Sequence, residues 1–140
     1  MSVEENKQIV RQAFEALMAD DLTPLGALLA TDAVLHQCGF LAPIPASVLL
    51  QGGFPAGRRI ADREVRLERI IGEDDIVALH WRTTGRFPAT DPPERDGKPV
   101  SFPSMTFLRL ENDRIAEIWN IQDVSTLKSQ LDNSTEPAER

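Results

Sequence analysis

The sequence contains one cysteine, no tyrosine and no long apolar run in its 140 residues. Because Cys38 has no second cysteine to pair with, a disulfide within the chain is excluded. The apolar runs are far shorter than the roughly 20 residues that a membrane-spanning helix needs, so a membrane is not an expected partner. The start, Ser2 to Glu5, is acidic, whereas a secretory signal is basic and then apolar. These absences predict a cytoplasmic protein.

Positive charge is also scarce, with 15 Lys and Arg against 22 Asp and Glu and a formal net charge of −7. A polyanion is repelled by such a chain unless its basic residues cluster, so no nucleic acid partner is expected. The one basic stretch, residues 58 to 69, is interleaved with acids and is typical of a solvated face. No phosphate-binding glycine loop is present, and His36, His80 and Asp123 lack metal-ligand spacing, so we expect neither a metal nor another cofactor.

Helical patterns fill the first part of the chain. A capping box at Ser2 and Glu5, followed by apolar residues at helical spacing, predicts a helix from about residue 3 to 19. Thr23 and Pro24 predict the start of a short second helix that ends at Asp32. We further expect a short strand over residues 33 to 37 and one turn of helix over residues 47 to 51.

Strand patterns follow, near residues 62 to 71, 76 to 87, 99 to 111 and 114 to 123. Residues 72 to 75 and 111 to 114 predict hairpin turns, and Ser125 is a candidate cap for a closing helix. Helices first and a long meander second predict an α+β fold in which the first helix covers one face of a curved antiparallel sheet. Residues 1–131 form one domain in this interpretation, and residues 132–140, with no large apolar side chain, form a disordered tail.

Asp123 is the first candidate for chemistry. Along a strand, Glu117, Trp119, Ile121 and Asp123 share one face. If that face borders a dry cavity between helix and sheet, burial raises the pKa of the Asp123 carboxyl toward the range in which it can shuttle protons. The alternative is that Asp123 caps the helix that follows it.

Several motifs in the same order resemble those of the SnoaL-like polyketide cyclases, a family with the cone-shaped nuclear-transport-factor-like fold, also called a cystatin-like α+β barrel. The motifs cover most of the chain and comprise Val10 to Phe14, Asp32 to His36, Asp75 to Arg82, Gly85, Gly97 to Val100, Met105, Arg109, Ile115, Glu117, Trp119 and Asp123. The resemblance implies that Asp123 is the general acid/base of a metal-free intramolecular aldol closure. The loop from Ala89 to Gly97 is longer and more charged than the usual family turn.

Other candidate residues each have a structural alternative. His36 could polarise a carbonyl or relay a proton, or be a half-exposed histidine at a strand end. Trp119 and Trp81, with Phe14 and Leu17, are candidates to line a substrate pocket or to be plain core. If both tryptophans face that pocket, His80 faces the other side of the sheet and belongs to a subunit interface more readily than to a substrate site.

These observations predict a cofactor-independent cyclase or isomerase that acts on a hydrophobic carbonyl compound, with Asp123 and His36 as catalytic residues. In that hypothesis Asp123→Asn abolishes turnover and leaves the fold intact. A dehydratase is a close variant, and the lack of tyrosine removes the phenol donor of the isomerase relatives. The rival from another class is a non-catalytic ligand-binding or scaffold protein, because fold alone does not decide function. We also expect a homodimer formed through the outer sheet face, where Ala78, His80, Asn120 and Gln122 meet their symmetry mates.

Overall fold

Two helices, a 3-10 helix and six strands make up the fold in the computed structural model, which describes residues 2–51, 60–87, 97–123, 125–126 and 129–130. The elements are α1 (Val3–Met18), α2 (Thr23–Leu28), β1 (Leu29–Gln37), β2 (Ile44–Pro45), the 3-10 helix Ala46–Gln51, β3 (Ala61–Glu73), β4 (Ile76–Arg86), β5 (Pro99–Glu111) and β6 (Arg114–Gln122). The expected α+β class is confirmed.

The start of α1 follows from its first four residues. Ser2 Oγ accepts a hydrogen bond from the Glu5 backbone N–H at 3.1 Å, and the Ser2 N–H donates to Glu5 Oε1 at 2.9 Å. These two bonds satisfy backbone donors that a helix start leaves unpaired. The apolar stripe of the helix is buried at Val10, Ala13, Phe14 and Leu17. The predicted helix therefore agrees with α1 to within one residue at its end.

The segment after α2 differs from the expectation. The second helix was predicted to reach Asp32, but α2 ends at Leu28 and β1 begins at Leu29. The reason is tertiary, because β1 pairs in parallel with β6 at Leu29 and again from Val34 to Gln37, with a register shift between them. The extended backbone of residues 29 to 32 depends on a strand more than 80 residues away, and no local pattern reports that partner.

The meander was predicted closely. The observed ends of β3 to β6 lie within two residues of the predicted ones. Positive backbone φ angles at Asp74 (54°), Asn112 (53°) and Asp113 (64°) mark the two tight turns, where aspartate and asparagine tolerate the left-handed conformation better than most residues.

The strand order is β2-β1-β6-β5-β4-β3, so the meander forms most of the sheet and β1 extends it beyond β6. All pairings are antiparallel except that of β1 with β6. The sheet curves without closing, and α1 packs on its concave inner face against β3 and β4. The main core cluster lies between α1 and that face.

Burial alternates along the strands and identifies the two sheet faces. On β4, Val77, Leu79, Trp81 and Thr83 are buried and face inward, whereas Ala78, His80 and Arg82 are partly exposed. On β6, Ile118, Asn120 and Gln122 face inward. We refer below to the face that carries these buried residues as the inner face and to the other as the outer face.

Three predicted features lie wholly or partly outside the described residues. They are the loop at 88–96, most of the closing helix and the tail at 132–140. Within the part of the chain that is described, no helix has the length and apolar character needed to cross a membrane.

Candidate functional site

An apolar cavity of about 40 Å³ lies between α1 and the inner face of the sheet. Phe14 and Leu17 line it from the helix, as predicted, and Leu79, Leu108 and Ile118 line it from the sheet. Trp81 packs beside it, with its indole edge-on to the Phe14 ring at a centroid distance of 5.3 Å. The cavity is much smaller than the apolar cavities of about 150 Å³ that bind benzene, so a larger ligand requires side chains of its wall to move.

A row of hydrogen bonds crosses the inner face beside this cavity. The Trp81 indole N–H donates to Thr106 Oγ1 at 3.0 Å, and the Thr106 hydroxyl donates to Asn120 Oδ1 at 2.7 Å. The Asn120 amide in turn donates to Gln37 Oε1 at 3.2 Å. Thr106 belongs both to this row and to the cavity wall, so a ligand in the cavity would meet a hydrogen-bonded polar group in apolar surroundings.

The polar groups of the interior are neutral. Among the described residues, the buried polar side chains are those of Asn6, Thr83, Ser104, Thr106, Asn120, Gln122 and Gln130, and none of these titrates near neutral pH. Chemistry performed by the described part of the inner face therefore relies on hydrogen bonding and on exclusion of water.

Trp119 does not face the same pocket as Trp81, which corrects the expectation that both line it. Trp81 is buried on the inner face, whereas Trp119 lies opposite Phe107 on the partly exposed outer face. Glu117, Trp119 and Ile121 do share one face, as predicted, but it is the outer one. Strand periodicity groups residues by face, and packing against α1 decides which group is buried.

Asp123 follows the last residue of β6 and caps the helical residues after it. Its Oδ1 accepts the Thr126 backbone N–H at 2.9 Å, and its Oδ2 accepts the Thr126 hydroxyl at 2.6 Å. These bonds, first the one from the hydroxyl and then the one from the backbone, lower the pKa of the Asp123 carboxyl from its ordinary value. The condition for a raised pKa, a carboxyl in a dry cavity, is not met, because the Asp123 carboxyl is partly exposed and hydrogen-bonded.

Asp123 also borders an open groove of about 470 Å³ that includes Cys38, Met105 and Ile121. Of the two predicted caps, Asp123 has this role, and Ser125 lies within the helical stretch. The hypothesis that Asp123 transfers protons stays a prediction.

Capping gives Asp123 a measurable effect on stability. Asp123→Ala should lower the free energy of unfolding at pH 7 by about 1 kcal/mol, whereas Asp123→Asn should stay within a few tenths of wild type, because asparagine is an equally good cap. Since the folded-state pKa is depressed, the ionised carboxylate stabilises the fold above the unfolded-state pKa of about 3.9 and loses this effect as the pH falls through the folded value.

Urea titrations of the three proteins at pH 7 and at pH 3 measure this difference. The difference in the free energy of unfolding between wild type and Asp123→Ala should be smaller at pH 3 than at pH 7. A gap of the same size at both pH values would contradict a role for the ionised cap.

His36 lies on the outer face, away from the cavity. Its ring stacks on Trp119 at a centroid distance of 5.2 Å, and its Nε2 lies 2.6 Å from Glu117 Oε2. Arg109 Nε donates to the other Glu117 oxygen at 3.2 Å. The hydrogen bond from His36, followed by the hydrogen bond and charge of Arg109, lowers the pKa of the Glu117 carboxyl.

The structure does not bring the two predicted catalytic residues together. His36 lies opposite Trp119 and is bonded to Glu117, whereas Asp123 follows the end of β6 and is bonded to Thr126.

His80 lies on the outer face, as expected, where it is opposite Met105 and borders a second groove of about 480 Å³. Its predicted neighbours Asn120 and Gln122 are instead buried on the inner face. That error and the error on Trp119 have one cause, since the two strands were placed in the wrong relative orientation. Within the described ranges, no three histidine, cysteine or acidic side chains cluster as a metal site would require.

Thr106 and Asn120 were not among the predicted site residues. Their signal was present, because each is a polar residue on a strand face that also carries large apolar side chains. This signal can be interpreted only when the strand pairing is known, because Leu79 pairs with Thr106 and Thr106 pairs with Asn120.

Comparison with solved structures finds the same fold in several proteins. IdmH from Streptomyces antibioticus, a putative polyketide cyclase, is 26% identical with a TM-score of 0.74, and the match covers 90% of this chain and 97% of that one. AclR from Streptomyces galilaeus, a putative hydroxylase, is 19% identical with a TM-score of 0.76, and the match covers 93% of this chain and 97% of that one. An LEH-like epoxide hydrolase from M. tuberculosis is 20% identical with a TM-score of 0.66, and the match covers 92% of this chain and 90% of that one.

The search against curated proteins gives no significant match. The sequence does match the family model described as the SnoaL-like domain over residues 10–118, which is most of the chain. The match extends from the middle of α1 to Ile118 on β6 and so includes the helix and strands that surround the cavity. On this evidence, the chain belongs to the SnoaL-like domain family.

Proposed function

We propose that this protein is a cofactor-independent enzyme that promotes proton transfer or ring closure in a hydrophobic carbonyl compound held between α1 and the inner face. The observation that carries the proposal is the apolar cavity whose wall includes Thr106, hydrogen-bonded to Trp81 and Asn120. IdmH, the relative at 26% identity, is named as a putative polyketide cyclase, which agrees with a carbonyl substrate.

Neutral hydrogen-bond donors can support such a reaction. When a carbon acid loses a proton to solvent hydroxide or to a carboxylate, negative charge develops on the enolate oxygen, and fixed donors in an apolar site stabilise that charge strongly. The Asn120 amide and the hydroxyls of the inner face are donors of this kind. The aliphatic wall excludes water and orients the substrate.

A non-catalytic ligand-binding protein is the second candidate. It is favoured by the position of the ionisable groups, because Asp123 caps a helix and His36 is held by Glu117 on the outer face. Binding without catalysis needs only the cavity and its hydrogen bonds.

Deuterium exchange separates the two candidates. The probe is 2-tetralone, a bicyclic ketone with an acidic benzylic C–H, followed by proton NMR in deuterated buffer. We expect the protein to accelerate exchange at that carbon at least tenfold over buffer. Binding without faster exchange would support the non-catalytic candidate, and the absence of both would exclude the cavity as a carbonyl site.

A pair of helix variants tests the location. Ala13 lines the cavity and Ala16 does not, although both lie on α1. Ala13→Val adds two methyl groups toward the cavity and should remove most of the acceleration of exchange. Ala16→Val has the same small loss of helix propensity and should retain the acceleration. Equal rates in the two variants would place the site elsewhere.

Asp123→Asn serves as a third variant in the same assay. Exchange at a rate close to that of wild type would exclude Asp123 as the base of the reaction. A loss of about 100-fold or more, with stability unchanged, would instead support Asp123 as the proton shuttle.

We also propose that the protein is a homodimer that associates through the outer face. Large apolar side chains on this face are exposed, at 61% for Ile71, 55% for Met105, 49% for Phe107 and 64% for Ile121. They lie on β3, β5 and β6 beside the two grooves that contain Asp123 and His80. A contiguous apolar patch of this kind marks an interaction surface, and a second copy offers a self-complementary cover.

A further inference from the structure

Three buried polar atoms on the inner face find no hydrogen-bond partner in the structure of the residues described. They are Thr83 Oγ1 on β4, Ser104 Oγ on β5 and Gln122 Nε2 on β6. Their residues are only 0%, 2% and 5% exposed. An unsatisfied buried polar group lowers the free energy of unfolding by about 1–3 kcal/mol, so three such groups together destabilise a domain of this size considerably.

Strand pairing places the three side chains side by side. Ser104 lies directly opposite Gln122, and such pairs have Cβ atoms about 5 Å apart. Thr83 lies opposite Phe102 and is therefore diagonal to Ser104, at about 7 Å. The polar atoms thus belong to one patch on three adjacent strands, which we call the Ser104 patch.

The neighbouring layer of the sheet shows that polar groups can be satisfied here. Two residues along the same strands, Thr106 and Asn120 are bonded to each other, and the Trp81 indole bonds to Thr106. The sheet therefore contains one layer of polar side chains that are hydrogen-bonded to each other and, next to it, one layer of polar side chains that are not. Aliphatic side chains of similar size at the open positions would avoid the cost, so the polar atoms point to a bound group.

The chemistry of the Ser104 patch restricts that group. Gln122 offers amide N–H donors, and the two hydroxyls can donate or accept. Since the buried polar residues of the described inner face are all neutral, a phosphate or carboxylate would lack a counter-charge there. A neutral or weakly charged oxygen, such as that of a ketone, an enol or a phenol, fits these donors best.

We infer that Thr83, Ser104 and Gln122 form the subsite that binds one oxygen of the hydrophobic ligand, an inference that rests on the proposed function. The patch is one layer, or about 7 Å, from Thr106 in the cavity wall. A ligand with its oxygen at the patch and its apolar part beside Leu79, which lies opposite Thr106, has roughly the length of two fused six-membered rings. The substrate class is therefore a bicyclic or larger compound with a ketone, enol or phenol oxygen at one end.

The test compares two probes of the same shape by equilibrium dialysis. 2-Naphthol carries the oxygen, and 2-methylnaphthalene replaces it with a methyl group. We expect wild type to bind 2-naphthol at least tenfold more tightly than 2-methylnaphthalene. Equal binding of the two would overturn the subsite alone, and binding of neither would overturn both the subsite and the proposed function.

Three variants remove the polar atoms with little change in size: Thr83→Val, Ser104→Ala and Gln122→Met. Each should reduce the preference for 2-naphthol severalfold to tenfold and leave the affinity for 2-methylnaphthalene unchanged. Thr84→Val, on the same strand as Thr83 but on the outer face, is the matched control and should retain the preference.

Melting temperatures distinguish ligand binding from a structural role. Without ligand, the variants should melt at the same temperature as wild type or higher, because a buried unsatisfied group has been removed. Lower melting temperatures with an unchanged preference for 2-naphthol would show that the atoms hold internal waters, and would overturn the inference.

Discussion

Phe107→Glu should convert the proposed dimer into a monomer and raise its dissociation constant by about 1,000-fold or more. Phe107 lies near the middle of the outer face, opposite Ala78 on one side and Trp119 on the other, and is half exposed. Burying a phenylalanine side chain contributes about 1.5–3 kcal/mol, and an unpaired carboxylate in its place adds several kcal/mol of desolvation. A twofold interface contains the substitution twice, so the free energy of association should weaken by more than about 4 kcal/mol. This loss corresponds to an increase of about 1,000-fold in the dissociation constant.

Sedimentation velocity between 1 and 100 µM measures this change. Val48→Glu is the control, because Val48 is an exposed apolar residue on the 3-10 helix and not on the sheet. It should remain dimeric, and both variants should keep the circular dichroism of wild type. A wild-type protein that is monomeric at 100 µM would refute the dimer, and a dimeric Phe107→Glu would refute this interface.

Gly85→Ala should destabilise the fold by about 2–6 kcal/mol, because steric overlap and backbone strain each contribute roughly 1–3 kcal/mol. A Cβ at this position would lie 2.4 Å from Ile60 Cγ2 and 2.6 Å from the Ala61 carbonyl oxygen. The φ angle of Gly85 is +156°, which residues with a side chain rarely adopt. The close approach arises because the pairing of β3 with β4 shifts register between Ala61 and Glu64, which brings the β3 backbone against Gly85.

Gly97→Ala is the matched control for this variant. Gly97 also has a positive φ, +73°, but a Cβ there would meet nothing within 4 Å. It should therefore lose only the roughly 1–2 kcal/mol of the left-handed conformation. Thermal unfolding should show a much larger decrease for Gly85→Ala, and equal decreases would contradict the steric explanation.

Local physics made much of the fold predictable. The capping box of α1 forms within four residues, and the tight turns use aspartate and asparagine at positive φ. Alternation along β6 correctly separated Trp119 from Asn120. Signals of this kind depend on residues a few positions apart, so they are complete in the sequence.

The site was less predictable, because its geometry depends on contacts between distant strands. Alternation cannot tell which face of β6 is buried, and the expectation placed Trp119 inside together with Trp81. In the fold, its ring has a partner outside, stacked on His36 from β1. The inner position is occupied by Asn120, which is satisfied by Thr106 on β5 and Gln37 on β1.

By itself, the sequence determined the elements of the meander, the sharing of faces within each strand and the family to which the chain belongs. The capping role of Asp123 was also a local possibility, since its partner Thr126 is three residues away. Only the tertiary structure decided that β1 joins β6 in parallel, that Trp119 and His36 face outward, and that Thr83, Ser104 and Gln122 meet on the inner face. The physical reason is that strand periodicity has two equivalent faces, and packing against α1 and neighbouring strands selects between them.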